Sequence, residues 1–268
     1  MDFADSHNHL QRFADPRPII EAMRAAGVTC CVVNATSPAD WPQVASLADE
    51  FPGFATPAFG IHPWHAHRAT PGWRDRLREL LAQFPAASVG ECGLDRWIES
   101  PPLAVQAPVF EDQLAIAREA GRAVTIHCVS AWGALFESFD RSPPPPRLLL
   151  HAYGGSPETA RRLVPMGAFF SFSGQVLHPS KAAAMETLRD IPHGRLLVET
   201  DAPDMLPPQD LVSHPLPDGQ NHPANLGAIA AALAARLGLP AADFAALTLR
   251  NHHACFARQD MLDRDRRA

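Results

Sequence analysis

A (β/α)8 barrel of the TIM-barrel class is the fold this sequence predicts, and three observations predict it. Short apolar, β-branched runs alternate with amphipathic stretches of helical period, eight such runs occur, and 268 residues is the size of one barrel domain. The runs are MDFADSH (1–7), TCCVVNA (29–35), FATPAFGIH (54–62), ASVGECG (87–93), AVTIHC (123–128), RLLLHA (147–152), AFFSFSG (168–174) and RLLVETD (195–201). An alternating order of this kind favours a closed barrel over an open sheet.

Helical stretches separate the runs: DPRPIIEAMRAAG (15–27), TPGWRDRLRELLAQF (70–84), VFEDQLAIAREAG (109–121) and SPETARRLVPMG (156–167). Thr70 before Pro71 and Ser156 before Pro157 read as N-caps with proline at the first helical position. Gly27 and Gly121 fall where helices should stop. The segments 225–239 and 241–256 supply closing helices, and the tetraproline at 143–146 is a stiff connector too short to separate domains. We therefore expect one domain over 1–268.

Composition narrows the function. With 46% apolar and 19% charged residues the chain is that of a globular protein, and a net charge of −6 offers no global basic field for a polyanion, although a local basic cleft is compatible with it. No leader pattern follows Met1 and no apolar run is long enough to cross a bilayer, so the expectation is a cytoplasmic protein without a membrane partner. Five cysteines without a CxxC pair argue against a disulfide framework. The oligomeric state is left open.

Chemistry in a barrel sits at the C-terminal strand ends, and there the chain places His7 and His9, His62, Glu91, His127, His151, and Glu199 with Asp201. On an extended strand residues i and i+2 share a face, so His7 and His9 present two imidazoles to one point. Taken singly, each histidine is more often a hydrogen-bonded core or surface residue. Together, repeated imidazoles and carboxylates at strand ends are costly to bury unless something satisfies them, and metal would. The set is too large for one tetrahedral ion and suits two ions about 3.5–4 Å apart sharing a carboxylate. His65, His67, His178, His193, His214, His252 and His253 read as loop or helix residues, whereas His62 and His222 are better placed to touch substrate. Cys92 and Cys128 each neighbour a candidate ligand and should face away from it.

In order, DSHNHL, GIHPWH, GECGLD, IHCVSAW, LLLHAYGGS, FFSFSG, LLVETDAP and NHPAN resemble the TatD family of metal-dependent hydrolases, within the amidohydrolase-like barrels, and TLRNHHACF resembles its C-terminal pattern. The resemblance runs from about residue 5 to 256. It implies that His7 and His9 bind one metal, Glu91 bridges both, His127 and His151 hold the second, and Asp201 ligates the first while acting as general base. It also implies a deoxyribonuclease using two divalent ions such as Mg²⁺, Mn²⁺ or Zn²⁺. Glu199, two residues before Asp201 on the same face, is placed either to orient the base or a ligand from behind or to pair as a charged residue deeper in the barrel. Two positions depart from the pattern: Val129 stands where the family commonly has arginine, and His222 where it has glutamate. An arginine there is a natural phosphate clamp, so substrate recognition is expected to differ while the metal chemistry is retained. DNA is the substrate the resemblance implies. A small amide, lactone or phosphoester on the same metals is the rival, and a metal-binding protein without turnover is the rival of another class.

Overall fold

In a computed structural model describing residues 1–256, eight strands form one parallel sheet in chain order. They are β1 (Phe3–Asn8), β2 (Val28–Asn34), β3 (Ala55–Phe59), β4 (Ser88–Asp95), β5 (Val124–Val129), β6 (Leu148–Leu150), β7 (Ala168–Phe172) and β8 (Leu196–Val198). Each expected run holds one strand. Burial of both faces explains their near-continuous apolar character: Leu148–Leu150 and Leu196–Val198 are buried throughout. The circle closes just beyond β8, where Asp201 N–H donates to His7 O at 3.0 Å, His9 N–H donates to Ala202 O at 2.8 Å, and the Asp5 carboxylate accepts from Thr200 N at 3.0 Å.

The ring of helices comprises α1 (Pro16–Ala25), α2 (Trp41–Glu50), α3 (Trp73–Gln83), α4 (Leu103–Glu119), α5 (Trp132–Arg141), α6 (Pro157–Leu163), α7 (Ala182–Asp190), α8 (Leu226–Arg236) and α9 (Ala241–Phe256). Ser156 caps α6 as expected, its hydroxyl accepting from Thr159 N at 3.2 Å, and Gly27 and Gly121 follow α1 and α4 with φ of 89° and 64°. The cap expected at Thr70 is corrected: Gly72, at φ 87°, turns the chain so that Trp73 N–H reaches the Thr70 carbonyl, and α3 begins only at Trp73. α4 begins at Leu103, six residues before the expected stretch, and carries Pro108 within it. Three helices, α2, α5 and α7, were not singled out from the sequence; Trp41, Val44, Leu47 and Ala48 form the buried face of α2. No single helix among the described residues is long and apolar enough to cross a membrane, and all five cysteines are free.

Two glycines let β3, β4 and β5 approach closely enough to seat the central carboxylate. A Cβ on Gly60 would lie 2.6 Å from the Gly90 carbonyl carbon, and one on Gly93, at φ 141°, would lie 2.0 Å from His127 O.

Candidate metal centre

Glu91, buried in β4, organises the strand ends, because its two oxygens face two different sets of side chains. Oε2 lies 3.3 Å from His7 Nε2 and 3.4 Å from His9 Nε2, and Asp201 Oδ1 lies at the same 3.3 and 3.4 Å from those two nitrogens. The two imidazole nitrogens are themselves 3.3 Å apart. Ligand atoms on a tetrahedral ion with bonds of about 2.0–2.1 Å are separated by about 3.3–3.4 Å, so this spacing fits one cation. Asp201 Oδ1 is buried without a hydrogen-bond partner, which a cation would provide.

Glu91 Oε1 faces the other set: His151 Nε2 at 2.8 Å, His127 Nδ1 at 3.1 Å and His62 Nε2 at 3.2 Å, with His127 and His151 nitrogens 3.3 Å apart. His7 and His151 stack across the divide, ring centroids 4.0 Å apart.

The outer nitrogen of each ring decides what its inner nitrogen can do. His9 Nδ1 donates to Asn34 O at 2.7 Å, which leaves Nε2 with a lone pair facing two carboxylates. His127 Nε2 faces Asp95 Oδ2 at 3.1 Å, so Nδ1 presents its lone pair to Glu91. His62 differs: its Nδ1 accepts from Trp64 N at 3.2 Å, so Nε2 carries the proton and points inward as a donor. His62 is thus suited to hydrogen-bond an anion rather than ligate a metal.

Electrostatics agree with a cation well. Burial alone would raise the Glu91 and Asp201 carboxyls, but His151, His62 and His7 around the first, and His7 and His9 around the second, hold both below the usual range. Burial and His151 lower the His7 imidazolium, yet Glu91 and Asp201 outweigh them and lift it to about 9. His62 is pushed down to about 4, chiefly by burial. Protons held at His7 stand in for positive charge, and a metal ion would displace them.

The centre opens into a cleft of about 520 Å³ whose lining includes Arg12, Trp64, Trp97, Cys128, Val129 and Met205. Glu199 lies beneath His151 rather than Asp201, its Oε1 accepting from Ala152 N at 2.7 Å and standing 3.7 Å from His151 Nδ1, while Oε2 accepts from the Ser171 hydroxyl. His222 is not brought to the centre among the described contacts. It caps the 3-10 turn Pro223–Asn225, its Nδ1 accepting from Ala224 N at 3.0 Å. Cys92 points away, toward Thr125 O, whereas Cys128 lines the cleft.

Residues 4–257 match the TatD related DNase family over nearly the whole chain. The chain belongs to the TatD family. It is therefore a member of a family of metal-dependent hydrolases, and its similarities are of that kind. This TatD-family chain is 31% identical over 252 residues to the 3'-5' ssDNA/RNA exonuclease TatD of Erwinia tasmaniensis, covering 91% of this chain and 95% of that protein. It is 28% identical over 251 residues to the metal-dependent hydrolase YabD of Bacillus subtilis, covering 92% and 96%. The crystal structure of the TatD homolog YjjV from Escherichia coli superimposes with a TM-score of 0.86 at 26% identity, covering 95% of this chain and 97% of the other, which agrees with the barrel expected from the sequence.

Asp95, not among the residues expected from the sequence, stands behind His127 with Oδ2 3.1 Å from Nε2. A signal was available: Glu91, Gly93 and Asp95 alternate along one strand and share a face.

Proposed function

We propose that this TatD-family chain is a nuclease that hydrolyses phosphodiester bonds in DNA with two divalent ions. The observation that carries the reading is Glu91, whose two oxygens face separate groups of ligand atoms, with Oε2 toward His7 and His9 and Oε1 toward His127 and His151. His7, His9 and Asp201 would hold one ion, His127 and His151 the other, and Glu91 both. Imidazole donors favour Zn²⁺ or Mn²⁺ over Mg²⁺. Bound there, two cations supply charge stabilisation to the phosphodiester and acidify the attacking water.

The chain's own groups do the rest. Asp201, held ionised, accepts the proton of the attacking water. His62 donates from Nε2 to a nonbridging oxygen as negative charge grows on it. Asp95 fixes the ring of His127 from behind through a hydrogen bond, and Glu199 places its negative charge 3.7 Å from His151 Nδ1.

A second reading, hydrolysis of a small amide, lactone or phosphoester on the same ions, is favoured by one observation. Val129 occupies the family's arginine position in the cleft, and Arg12, the one Lys or Arg among the described lining residues, is paired with Asp204. The test is turnover of end-labelled single-stranded DNA and of a panel of small esters and amides, with Mn²⁺, Zn²⁺ or Mg²⁺ added to metal-free protein. Metal-dependent cleavage of DNA, absent in Glu91→Ala, is the expected result. Turnover confined to small substrates supports the second reading, and metal binding with no turnover would make the protein a non-catalytic binder.

A further inference from the structure

Large apolar side chains exposed to water are few among the described residues, and two of the four, Trp64 at 47% and Trp97 at 81%, line the same cleft. Indoles left in water at the mouth of a polar centre lose the stabilisation that burial would give them. Asp95 holds the indole of Trp64 and the backbone of Trp97. Trp64 Nε1 donates to Asp95 Oδ2 at 2.8 Å, and Trp97 N donates to Asp95 Oδ1 at 2.8 Å, so one carboxylate fastens both to the residue that orients His127. Buried Gln106 clamps the loop carrying Trp97 by accepting from Asp95 N at 2.7 Å and donating to Asp95 O at 2.8 Å and Pro101 O at 2.7 Å. Arg96 N donates to Val129 O at 2.9 Å, which ties this loop to the strand end where the family's arginine is replaced.

The neighbouring lining is apolar, with Cys128, Val129, Ala152 and Met205, and Arg12 is engaged by Asp204. Outside the metal centre the cleft offers a polyanion little positive charge. Two exposed indoles are what it offers instead, and an unpaired base is the portion of a nucleic acid that stacks on an indole.

We propose that Trp64 and Trp97 form a stacking platform for an unpaired nucleobase beside the scissile phosphodiester. This subsite rests on the nuclease reading above. It makes the chain select single strands through the base, where a basic cleft would select them through phosphate charge.

The experiment compares the metal-loaded protein on a single-stranded oligonucleotide and on a strand of the same length whose residues are abasic. The readout is the ratio of the two kcat/KM values, which cancels any general loss of activity. Wild type should prefer the base-bearing strand by about tenfold or more, Trp97→Ala should lose about tenfold of that preference, and Trp97→Phe should regain much of it, as expected for stacking of one base. A wild type that cleaves both strands equally, or a Trp97→Ala variant that keeps the full preference, overturns the platform while the nuclease reading stands. Failure to cleave either strand overturns the nuclease reading and the platform with it.

Discussion

Asp95 and His127, 32 positions apart in sequence, meet at 3.1 Å through Oδ2 and Nε2 and fix which nitrogen of His127 faces Glu91. Burial would raise the Asp95 carboxyl, but its hydrogen bonds from His127 and Trp64 hold it down to about 2, so it is an ionised acceptor and His127 Nε2 is the donor. Asp95→Ala should therefore weaken binding of one of two ions by about 10–100-fold and leave the other nearly unchanged. Calorimetric titration of metal-free protein with Mn²⁺ measures it. Two unchanged affinities would remove Asp95 from the support of the centre.

Asp201 adopts φ 52° three residues beyond β8, a left-handed conformation that asparagine tolerates. Asp201→Asn should keep the fold and an oxygen for coordination but lose the proton acceptor, with kcat falling about 10²–10⁴-fold under saturating metal. A kcat within a few-fold of wild type would place the base elsewhere. Glu199 is a poor substitute, since it already accepts from Ala152 N at 2.7 Å and from Ser171.

Stability should carry a signature of His252, which is buried in α9 against Ser6, its Nδ1 3.1 Å from the hydroxyl. Burial, with His253 adding to it, pushes its imidazolium down to about 3. The unfolded chain takes up this proton below about pH 6.5 while the folded chain refuses it until about pH 3, so stability is full above 6.5 and falls as pH falls through that window. At pH 5 this one group would account for about 2 kcal/mol. Urea unfolding of metal-free wild type and His252→Gln at pH 7 and pH 5 tests it, with a smaller acid loss expected in the variant; equal losses would refute it.

Gly93→Ala should cost about 2–4 kcal/mol, because the added Cβ meets His127 O at 2.0 Å on backbone already at φ 141°. Gly133→Ala is the control, since nothing lies within 4 Å of its Cβ in α5 and helix propensity alone favours it by up to about 1 kcal/mol. Denaturation midpoints should move in opposite directions. Two small shifts of like sign would mean that close approach of β4 and β5 is not what Gly93 serves.

The barrel, and the residues it gathers around Glu91, were legible because both are written locally. An apolar strand announces itself by period and composition, and a histidine or carboxylate at its end is read in the same few residues, as at His7, His9, Glu91 and Asp201. What was not legible depends on register. Asp95 becomes important through its pairing opposite Val129 and its reach to His127, which no single segment encodes. The direction of a histidine's proton is likewise set from outside: His62 became a donor through Trp64 N, and His222 was absorbed into capping its own turn. At Thr70 the sequence offered a good cap and proline, but Gly72 could adopt a positive φ and took over the start of α3.

The proposed nuclease chemistry requires Glu91 to be shared by two cations. Anomalous diffraction from crystals of this protein equilibrated with Mn²⁺ tests it most directly. Two peaks flanking Glu91 are expected, one against His7, His9 and Asp201 and the other against His127 and His151. A single peak, or two peaks of which Glu91 touches at most one, would contradict it.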